Sequence, residues 1–476
     1  MEHLYDRLKE YNSSDMYPYH MPGHKRRAWG ELPESMYSMD ITEITDFDNL
    51  HNADGIIAKL QIQAAQMYHA DESFYLINGS TAGILSAISC AVSQGGRILM
   101  SRNCHKSSYH GAYLRELGIS YLYPSYHEKC GIFEAISPKQ VEEALEQTSD
   151  VQAVLIVSPT YEGRIADVEA IAEIVHAKGI PLIVDEAHGA HLGLAEGFSK
   201  NSCQCGADLV IHSVHKTLPS LTQTALLHVN GNLIDRDKLR RFLRIYQTSS
   251  PSYLLMGSID NALHQIETQG ADAFRSFKEN CIQMMHRLSD CKNLRFLPMD
   301  GVHQDFGKLL ISVRDTELTG KQLFDILRDR YHLELEMAAG DYALAMFTIN
   351  DGTEAYTRMV QALLEVDKSV SKAPGFTERT PLLDRSVFDE VSGKTLWEAW
   401  DAPMEFVELQ ESVGRCAAEF VNLYPPGIPL LVPGELIREE FYSEIKKAYE
   451  QGLTVQGLSV VEDVNGIQTI QIKVLQ

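Results

Sequence analysis

Lys216, near the middle of the chain, stands where an amine could take part in covalent chemistry. It follows the strand-like segment ADLVIH and begins the run KTLPSLTQTALL, which is rich in small and hydroxyl residues. An amine at the end of a buried strand can form a Schiff base with a carbonyl compound if its pKa falls far enough to leave it neutral. A lysine in this position is more often solvated, so the neighbouring motifs decide between the two interpretations.

Asp185 ends another aliphatic segment, IPLIVD, about thirty residues before Lys216. Burial penalises such a carboxylate unless a cation or hydrogen-bond donors meet it, and a protonated pyridine nitrogen is such a cation. The common alternative for a lone D-E-A-H is an aspartate that caps the next helix. His188 and His191 follow, and on a helix they would share a face as metal ligands do. No third ligand has suitable spacing, so we expect a supporting or structural role for these imidazoles.

A possible phosphate site lies further upstream, in FYLINGSTAGILSAISCAV. The residues of NGST, which include Gly79, Ser80 and Thr81, fall at a strand-to-helix turn, where amides and hydroxyls at a helix N-terminus bind anions. An ordinary helix cap would use the same residues. After the next strand, His105 in SRNCHKSSYHGA offers a flat ring that could stack on a ligand, although it could equally be a polar loop residue.

These four features follow one order along the chain: phosphate turn, stacking histidine, strand-terminal aspartate, strand-terminal lysine. Open α/β sheets place ligands at the carboxyl ends of their strands. Pyridoxal 5'-phosphate (PLP) is an aldehyde that carries a pyridine ring and a phosphate, and it would engage all four. The joint pattern therefore predicts a PLP site with Lys216 as the Schiff-base lysine.

The elements that must position these residues follow a βαβ rhythm between residues 74 and 231. Helical patterns at residues 80–93 and 167–178 alternate with short aliphatic runs, which predicts a mostly parallel, buried sheet. The strand-like runs are GRILMS, ISYLYP, VQAVLIVSP, IPLIVDEAH, ADLVIHSVHK and TALLHVNG. We expect an α/β fold with five parts: an N-terminal arm (1–40), a large PLP-binding domain (41–288), a small α+β domain (289–368), a linker (369–395) and a C-terminal α+β domain (396–476).

Composition narrows the class of protein. The chain has 476 residues, enough for several domains, and 65 acidic against 42 basic residues give a net charge of -23, which disfavours nucleic acid and anionic membranes as partners. No run approaches the roughly 20 apolar residues of a membrane span, and the N-terminal sequence lacks the apolar core of a signal peptide. Eight scattered cysteines without C-x-x-C spacing argue against a zinc module or disulfide framework. We expect a cytoplasmic enzyme.

Several ordered segments resemble the Orn/Lys/Arg decarboxylase family of fold-type I PLP enzymes, whose fold is like that of aspartate aminotransferase. The resemblance runs from about residue 17 to residue 435. Its segments are YHMPGHKR, DITEITDFDNLHN, NGSTAG, RNCHKS, DEAHGAH, SVHKTLPSLTQ, QTSSPSY and LYPPGIPLLVPGE. Because YHMPGHKR begins near residue 19, the chain is similar to the short form of the family, which lacks a receiver-like domain.

The resemblance implies a role for individual residues. Lys216 would carry the cofactor, Asp185 would contact the pyridine nitrogen and His105 would stack on the ring. His215 would donate a proton to the substrate α-carbon after carbon dioxide leaves. The remaining residues expected around the cofactor are Gly79, Ser80, Thr81, His188, Ser213 and Thr248. The resemblance also implies a homodimer, or a dimer-based oligomer, with the active site at the interface and Thr248 and Ser249 reaching the cofactor region across it.

The reaction expected is decarboxylation of lysine, arginine or ornithine to cadaverine, agmatine or putrescine, as in polyamine biosynthesis. Aminotransferases of this fold hold the substrate carboxylate with an arginine of the small domain, and LELEMAAGDYALAMFTIN contains none. A weakly neutralised, poorly solvated carboxylate loses carbon dioxide more readily. An aminotransferase, an aldolase-type lyase and a catalytically silent PLP-binding relative stay open as alternatives.

The basic end of the substrate requires a carboxylate in a partly dry pocket. The run VELQESVGR supplies Glu411, our first candidate by family position, and Glu408. A solvated acidic helix face is an equally good interpretation of either residue. Nothing in the sequence separates arginine, lysine and ornithine.

Overall fold

The computed structural model describes residues 2–28, 30–372, 393–424, 427–462 and 468–476. The chain forms two compact units. The first holds Met1–Ala91 and Val168–Ser276, and the second holds Val92–Asp167 and Phe277–Gln476. Most of the linker predicted at residues 369–395 lies outside the described residues.

The α-helices of the described residues are α1 (Leu4–Ser13), α2 (Glu34–Ser38), α3 (Ile56–Tyr68), α4 (Gly79–Ala91), α5 (Lys106–Leu114), α6 (Pro138–Gln147), α7 (Val168–Ala177), α8 (Val214–Thr217), α9 (Arg236–Tyr246), α10 (Tyr253–Leu288), α11 (Gly320–Tyr331), α12 (Thr353–Ser369), α13 (Leu396–Trp400) and α14 (Glu439–Glu450). Short 3-10 helices lie at Leu50–Asn52 and Leu409–Ser412. No helix among the described residues is long and apolar enough to cross a membrane.

The strands of the described residues are β1 (Glu72–Leu76), β2 (Arg97–Ser101), β3 (Gly118–Leu122), β4 (Tyr126–His127), β5 (Ile132–Phe133), β6 (Val151–Val157), β7 (Leu182–Asp185), β8 (Leu209–His212), β9 (Ala225–Val229), β10 (Arg295–Phe296), β11 (Lys308–Ser312), β12 (Met337–Ala338), β13 (Tyr342–Met346), β14 (Met404–Glu408), β15 (Val421–Leu423), β16 (Ile428–Leu431), β17 (Val455–Gln456), β18 (Leu458–Glu462) and β19 (Gln468–Leu475).

The first unit is built on four strands in the order β1-β9-β8-β7. β7 and β8 run parallel, whereas β9 is antiparallel to both of its neighbours. β7, β8 and β9 are buried along their whole length, which explains why their sequences read as continuous aliphatic runs. Asp185 pairs with Ile211, so β7 and β8 end at the same edge of the sheet.

Helix α4 follows β1 in the first unit and packs closely on the strands. Gly79, its first residue, has φ +73°, a left-handed conformation that favours glycine. Gly83 allows the close packing, because a Cβ there would lie 2.7 Å from Leu76 Cδ1 and 3.1 Å from Ile211 Cγ2. The sequence of α4 therefore fixes both where the helix starts and how near its N-terminus lies to the sheet.

The described residues of the second unit form several smaller groups of strands. β6, β2 and β3 lie side by side and parallel, and β10-β11-β13-β12 form an antiparallel sheet. The C-terminal part has two three-stranded antiparallel sheets, β14-β19-β18 and β16-β15-β17. Their core includes Val421, Ile437, Phe441 and Val474, all fully buried.

The expected α/β fold with a mostly parallel central sheet, a small α+β part and a C-terminal α+β part is confirmed. The helices predicted at residues 80–93 and 167–178 appear as Gly79–Ala91 and Val168–Ala177. The run LELEM contributes only its last residue to a strand, the short Met337–Ala338. Periodicity located the long elements well, because each buries a full face or stripe.

Candidate active site

Lys216 lies in α8, the short helical turn that follows β8 directly. Its side chain is half-buried, and its Nζ lies 3.0 Å from Nε2 of His188. Because an ammonium has no acceptor, Lys216 donates to a lone pair on the imidazole. The structure thus directs Lys216 toward the residues that follow β7.

Asp185, the last residue of β7, is 5% exposed. Its Oδ1 accepts a hydrogen bond of 3.2 Å from the Ala187 N–H. Burial raises the pKa of this carboxyl, and the charge of Lys216 together with the Ala187 N–H opposes the rise. A cation that met the carboxylate would offset the cost of its burial.

The turn predicted to bind phosphate begins α4, as expected. Ser80 and Thr81 lie in the first helical turn, where backbone N–H groups lack intrahelical partners. Ser213, just before α8, has a buried Oγ with no hydrogen-bond partner among the described residues. A buried hydroxyl without a partner is rare, and a phosphate oxygen would satisfy it. These residues fit the phosphate of PLP.

His215 and Thr248 have defined partners in the first unit. Nδ1 of His215 donates to the carbonyl of Thr224 at 2.8 Å, so its second proton must bind at Nε2. Burial lowers the pKa of His215. Thr248 is exposed; its N–H donates to Asn78 Oδ1 at 3.3 Å, and its carbonyl accepts from His51 Nε2 at 2.7 Å.

Three predicted site residues belong to the second unit. His105 caps α5 with its half-buried ring and accepts from the Ser107 N–H at 3.2 Å. Glu408 ends β14 and Glu411 lies in the following 3-10 helix; both side chains are exposed. The ring-stacking and substrate-binding roles of these residues stay predictions.

His188 and His191 do not share a helix face. Residues 186–193 form no helix; they turn through hydrogen bonds from Gly189 N to Glu186 O and from Leu192 N to Gly189 O. Asp185 therefore caps no helix either. Its side chain closes a turn on Ala187, and Gly189 weakens the helical pattern. Among the described residues, no three His, Cys, Asp or Glu side chains are grouped to hold a metal ion.

A buried hydrogen-bonded row, which we call the polar ladder, was missed by the sequence analysis. It links Ser73 on β1 to His228 on β9 (2.6 Å), His228 to His212 on β8 (3.1 Å), and His212 to Glu186 after β7 (2.7 Å). Ser202 donates to Glu186 from its N–H and its hydroxyl. Histidines within otherwise aliphatic strands were the available signal. The ladder joins the four strands next to two predicted site residues, because Glu186 follows Asp185 and His212 precedes Ser213 in the sequence.

The ladder makes stability depend on pH. Burial lowers the pKa of His212 to about 3 from the usual 6.5, so below pH 6.5 the unfolded chain binds a proton that the folded chain refuses. Burial raises the pKa of Glu186 to about 8, so its contribution to stability is lost as pH rises through 8. The loss from Glu186 begins at its usual pKa of 4.5 and the gain from His212 ends at 6.5, so we expect these two groups to make the chain most stable between about pH 4.5 and pH 6.5.

The variant His212→Asn tests this pH dependence. Asparagine does not titrate, so the unfolded chain no longer gains a proton at this position. The free energy of unfolding should therefore fall less steeply between pH 6.5 and pH 3, by about 1.4 kcal/mol per pH unit. Thermal midpoints measured across this range check the result. His303→Asn is the matched control, because that side chain is 72% exposed. Equal acid sensitivity in His212→Asn and the unmodified chain would contradict the prediction.

Known proteins resemble this chain over almost its whole length. The family model for the major domain of Orn/Lys/Arg decarboxylases matches residues 2–333, and the model for their C-terminal domain matches residues 393–453. An arginine decarboxylase of Bacillus subtilis (strain 168) is 32% identical over 95% of both chains. An arginine decarboxylase of Bacillus anthracis is 31% identical over 98% of this chain and 96% of the relative.

Solved structures show the same fold. A lysine decarboxylase from Francisella novicida superposes with a TM-score of 0.83 at 17% identity, covering 99% of this chain and 81% of that one. The expected fold-type I architecture is confirmed. From the matched family models and the relatives at more than 30% identity, the chain belongs to the Orn/Lys/Arg decarboxylase family, which removes the carboxyl group from a basic amino acid.

Proposed function

We propose that the chain converts L-arginine to agmatine and carbon dioxide, with PLP held on Lys216. One observation carries the proposal. The Lys216 amine lies 3.0 Å from His188 Nε2, at the same sheet edge where β7 ends in the buried Asp185. The choice of arginine rests on the relatives named arginine decarboxylase. The predicted homodimer and cytoplasmic location belong to the same proposal.

Each residue of the first unit has a task in this proposal. When bound, PLP draws electrons from the substrate α-carbon and so weakens the bond to the carboxylate. Lys216 would hold the cofactor, Asp185 would hold a proton on the pyridine nitrogen, and Ser213 with the first turn of α4 would bind the phosphate. His215, anchored by Thr224, could deliver a proton from Nε2 to the α-carbon.

The second unit supplies support for decarboxylation over transamination. The segment LELEMAAGDYALAMFTIN, which contains no arginine that could bind a substrate carboxylate, includes β12 and β13. Arg314, which follows β11 nearby, is buried and pairs with Asp341 at 3.3 Å. A guanidinium neutralised by an aspartate binds a substrate carboxylate weakly.

Product formation from arginine, lysine and ornithine, measured side by side, tests the proposal. We expect agmatine and carbon dioxide from arginine in equal amounts, at a much higher kcat/KM than for the other two amino acids. A preference for lysine or ornithine would refute the substrate. Keto acid without carbon dioxide would refute the reaction, and a cofactor-bound protein without turnover would identify a silent relative.

A further inference from the structure

The C-terminal segment LYPPGIPLLVPGE has no part in the chemistry described so far, yet its residues 427–435 contact the RNCHKS loop at residues 102–107. Both belong to the second unit. The loop carries His105, the residue predicted to stack on the cofactor ring. The contacts between the two segments therefore bear on how that ring is held.

Arg102 anchors the loop to the segment. Its side chain is fully buried, and its Nε and Nη2 donate to the two carboxylate oxygens of Glu435 at 3.2 and 2.9 Å. Nη1 and Nη2 also donate to the carbonyls of Pro429 and Leu430 at 2.7 and 3.1 Å. The planar guanidinium holds several acceptors in one geometry, so the loop has a single orientation on the segment.

Gly427 touches His105 itself. A Cβ placed on Gly427 would lie 3.5 Å from Cδ2 and Nε2 of the imidazole, so the glycine backbone packs against the ring. The Gly427 carbonyl also accepts from the Lys106 N–H at 3.3 Å. Nδ1 of the His105 ring also forms hydrogen bonds with the N–H and the hydroxyl of Ser107. Segment 427–435 thus supports the histidine directly and, through Arg102, the loop that carries it.

We propose that Glu435 and Gly427 are positioning residues that hold the His105 ring in the orientation needed to stack on the cofactor. This inference rests on the proposed function and on the stacking role that the family resemblance implies for His105. A buried ion pair contributes little net stability compared with apolar packing, but it does impose one arrangement of its partners. Positioning accounts for a fully buried arginine that donates to three residues of one short segment as well as to the Tyr109 hydroxyl of α5.

A double-mutant cycle tests the proposal without measuring activity. The readout is the rate at which the protein loses its bound PLP, followed by visible absorbance during dialysis, with visible circular dichroism as a probe of the surroundings of the ring. His105→Ala should speed cofactor loss about fivefold. Glu435→Gln should speed it about threefold and change the dichroism, yet add nothing in the His105→Ala background, because it acts through that ring.

Glu435→Asp keeps the charge and so serves if the glutamine variant does not fold; partial recovery of the slow rate is expected. Glu405→Gln is the matched control, since Glu405 pairs with Arg415 in the same C-terminal part without contacting the loop. Additive effects of the two substitutions, or an unchanged rate in a folded Glu435 variant, would overturn the inference. An unmodified chain that binds no PLP would instead refute the proposed function, and this inference with it.

Discussion

Replacing Lys216 with alanine is expected to abolish both the visible absorbance of the lysine-bound cofactor and the release of carbon dioxide. The alanine side chain has no amine, so no covalent link to PLP can form at the end of β8. The phosphate turn at α4 remains, so the variant should still bind PLP weakly and reversibly. Absorbance spectroscopy after gel filtration and an agmatine assay measure the two losses.

Lys200→Ala is the control for this variant. Lys200 is an exposed lysine of the same unit, paired with Glu169 at 3.0 Å, and its loss should leave absorbance and turnover unchanged. A Lys216→Ala protein that kept the spectrum of the unmodified chain would show that another amine carries the cofactor.

Replacing Asp185 with asparagine is expected to leave PLP bound but to reduce kcat by roughly 100-fold or more. A neutral amide no longer stabilises a proton on the pyridine nitrogen, and without that proton the ring withdraws electrons poorly. Asparagine has nearly the same shape, and its side-chain oxygen can still accept from the Ala187 N–H. The kcat per bound cofactor, measured with arginine, gives the size of the effect.

Asp208→Asn is a matched control within the same sheet. Asp208 is also buried, but it precedes β8 and accepts from His176 Nε2 and the Leu182 N–H, both at 2.8 Å, at the opposite end of the strands. This variant should lower the thermal midpoint without changing kcat per bound cofactor. A near-normal rate in Asp185→Asn would refute the assignment of Asp185.

The sequence predicted the strands and the order of Lys216, Asp185 and the α4 turn because each feature is local. An aliphatic run specifies a buried strand, and the residue after it must lie at the sheet edge. The turn after β7 was predicted less well, because the competition between a helix and successive turns depends on Gly189 and on a side-chain contact within the turn.

Contacts between segments distant in the chain could not be predicted. The polar ladder needs β1, β9, β8 and β7 to lie side by side, and the Arg102–Glu435 pair joins residues 333 positions apart. Neither residue of that pair has a local pattern that announces its partner. Such pairings follow from the topology of the fold. The sequence specifies that topology through the combined effect of many packing contacts, and not through a local pattern.

The polar ladder also links the protonation state of Glu186, after β7, to the direction of the hydrogen bonds that cross the strands. When Glu186 is ionised, His212 donates a hydrogen bond to it, His228 donates to His212, and Ser73 donates to His228. When Glu186 is protonated, it can donate to His212 instead, and the other two hydrogen bonds can reverse in the same way. Both imidazoles stay neutral in either state. The heavy atoms need not move. The tautomer of His228 would then report, from the far side of the sheet, whether the carboxyl beside Asp185 holds a proton.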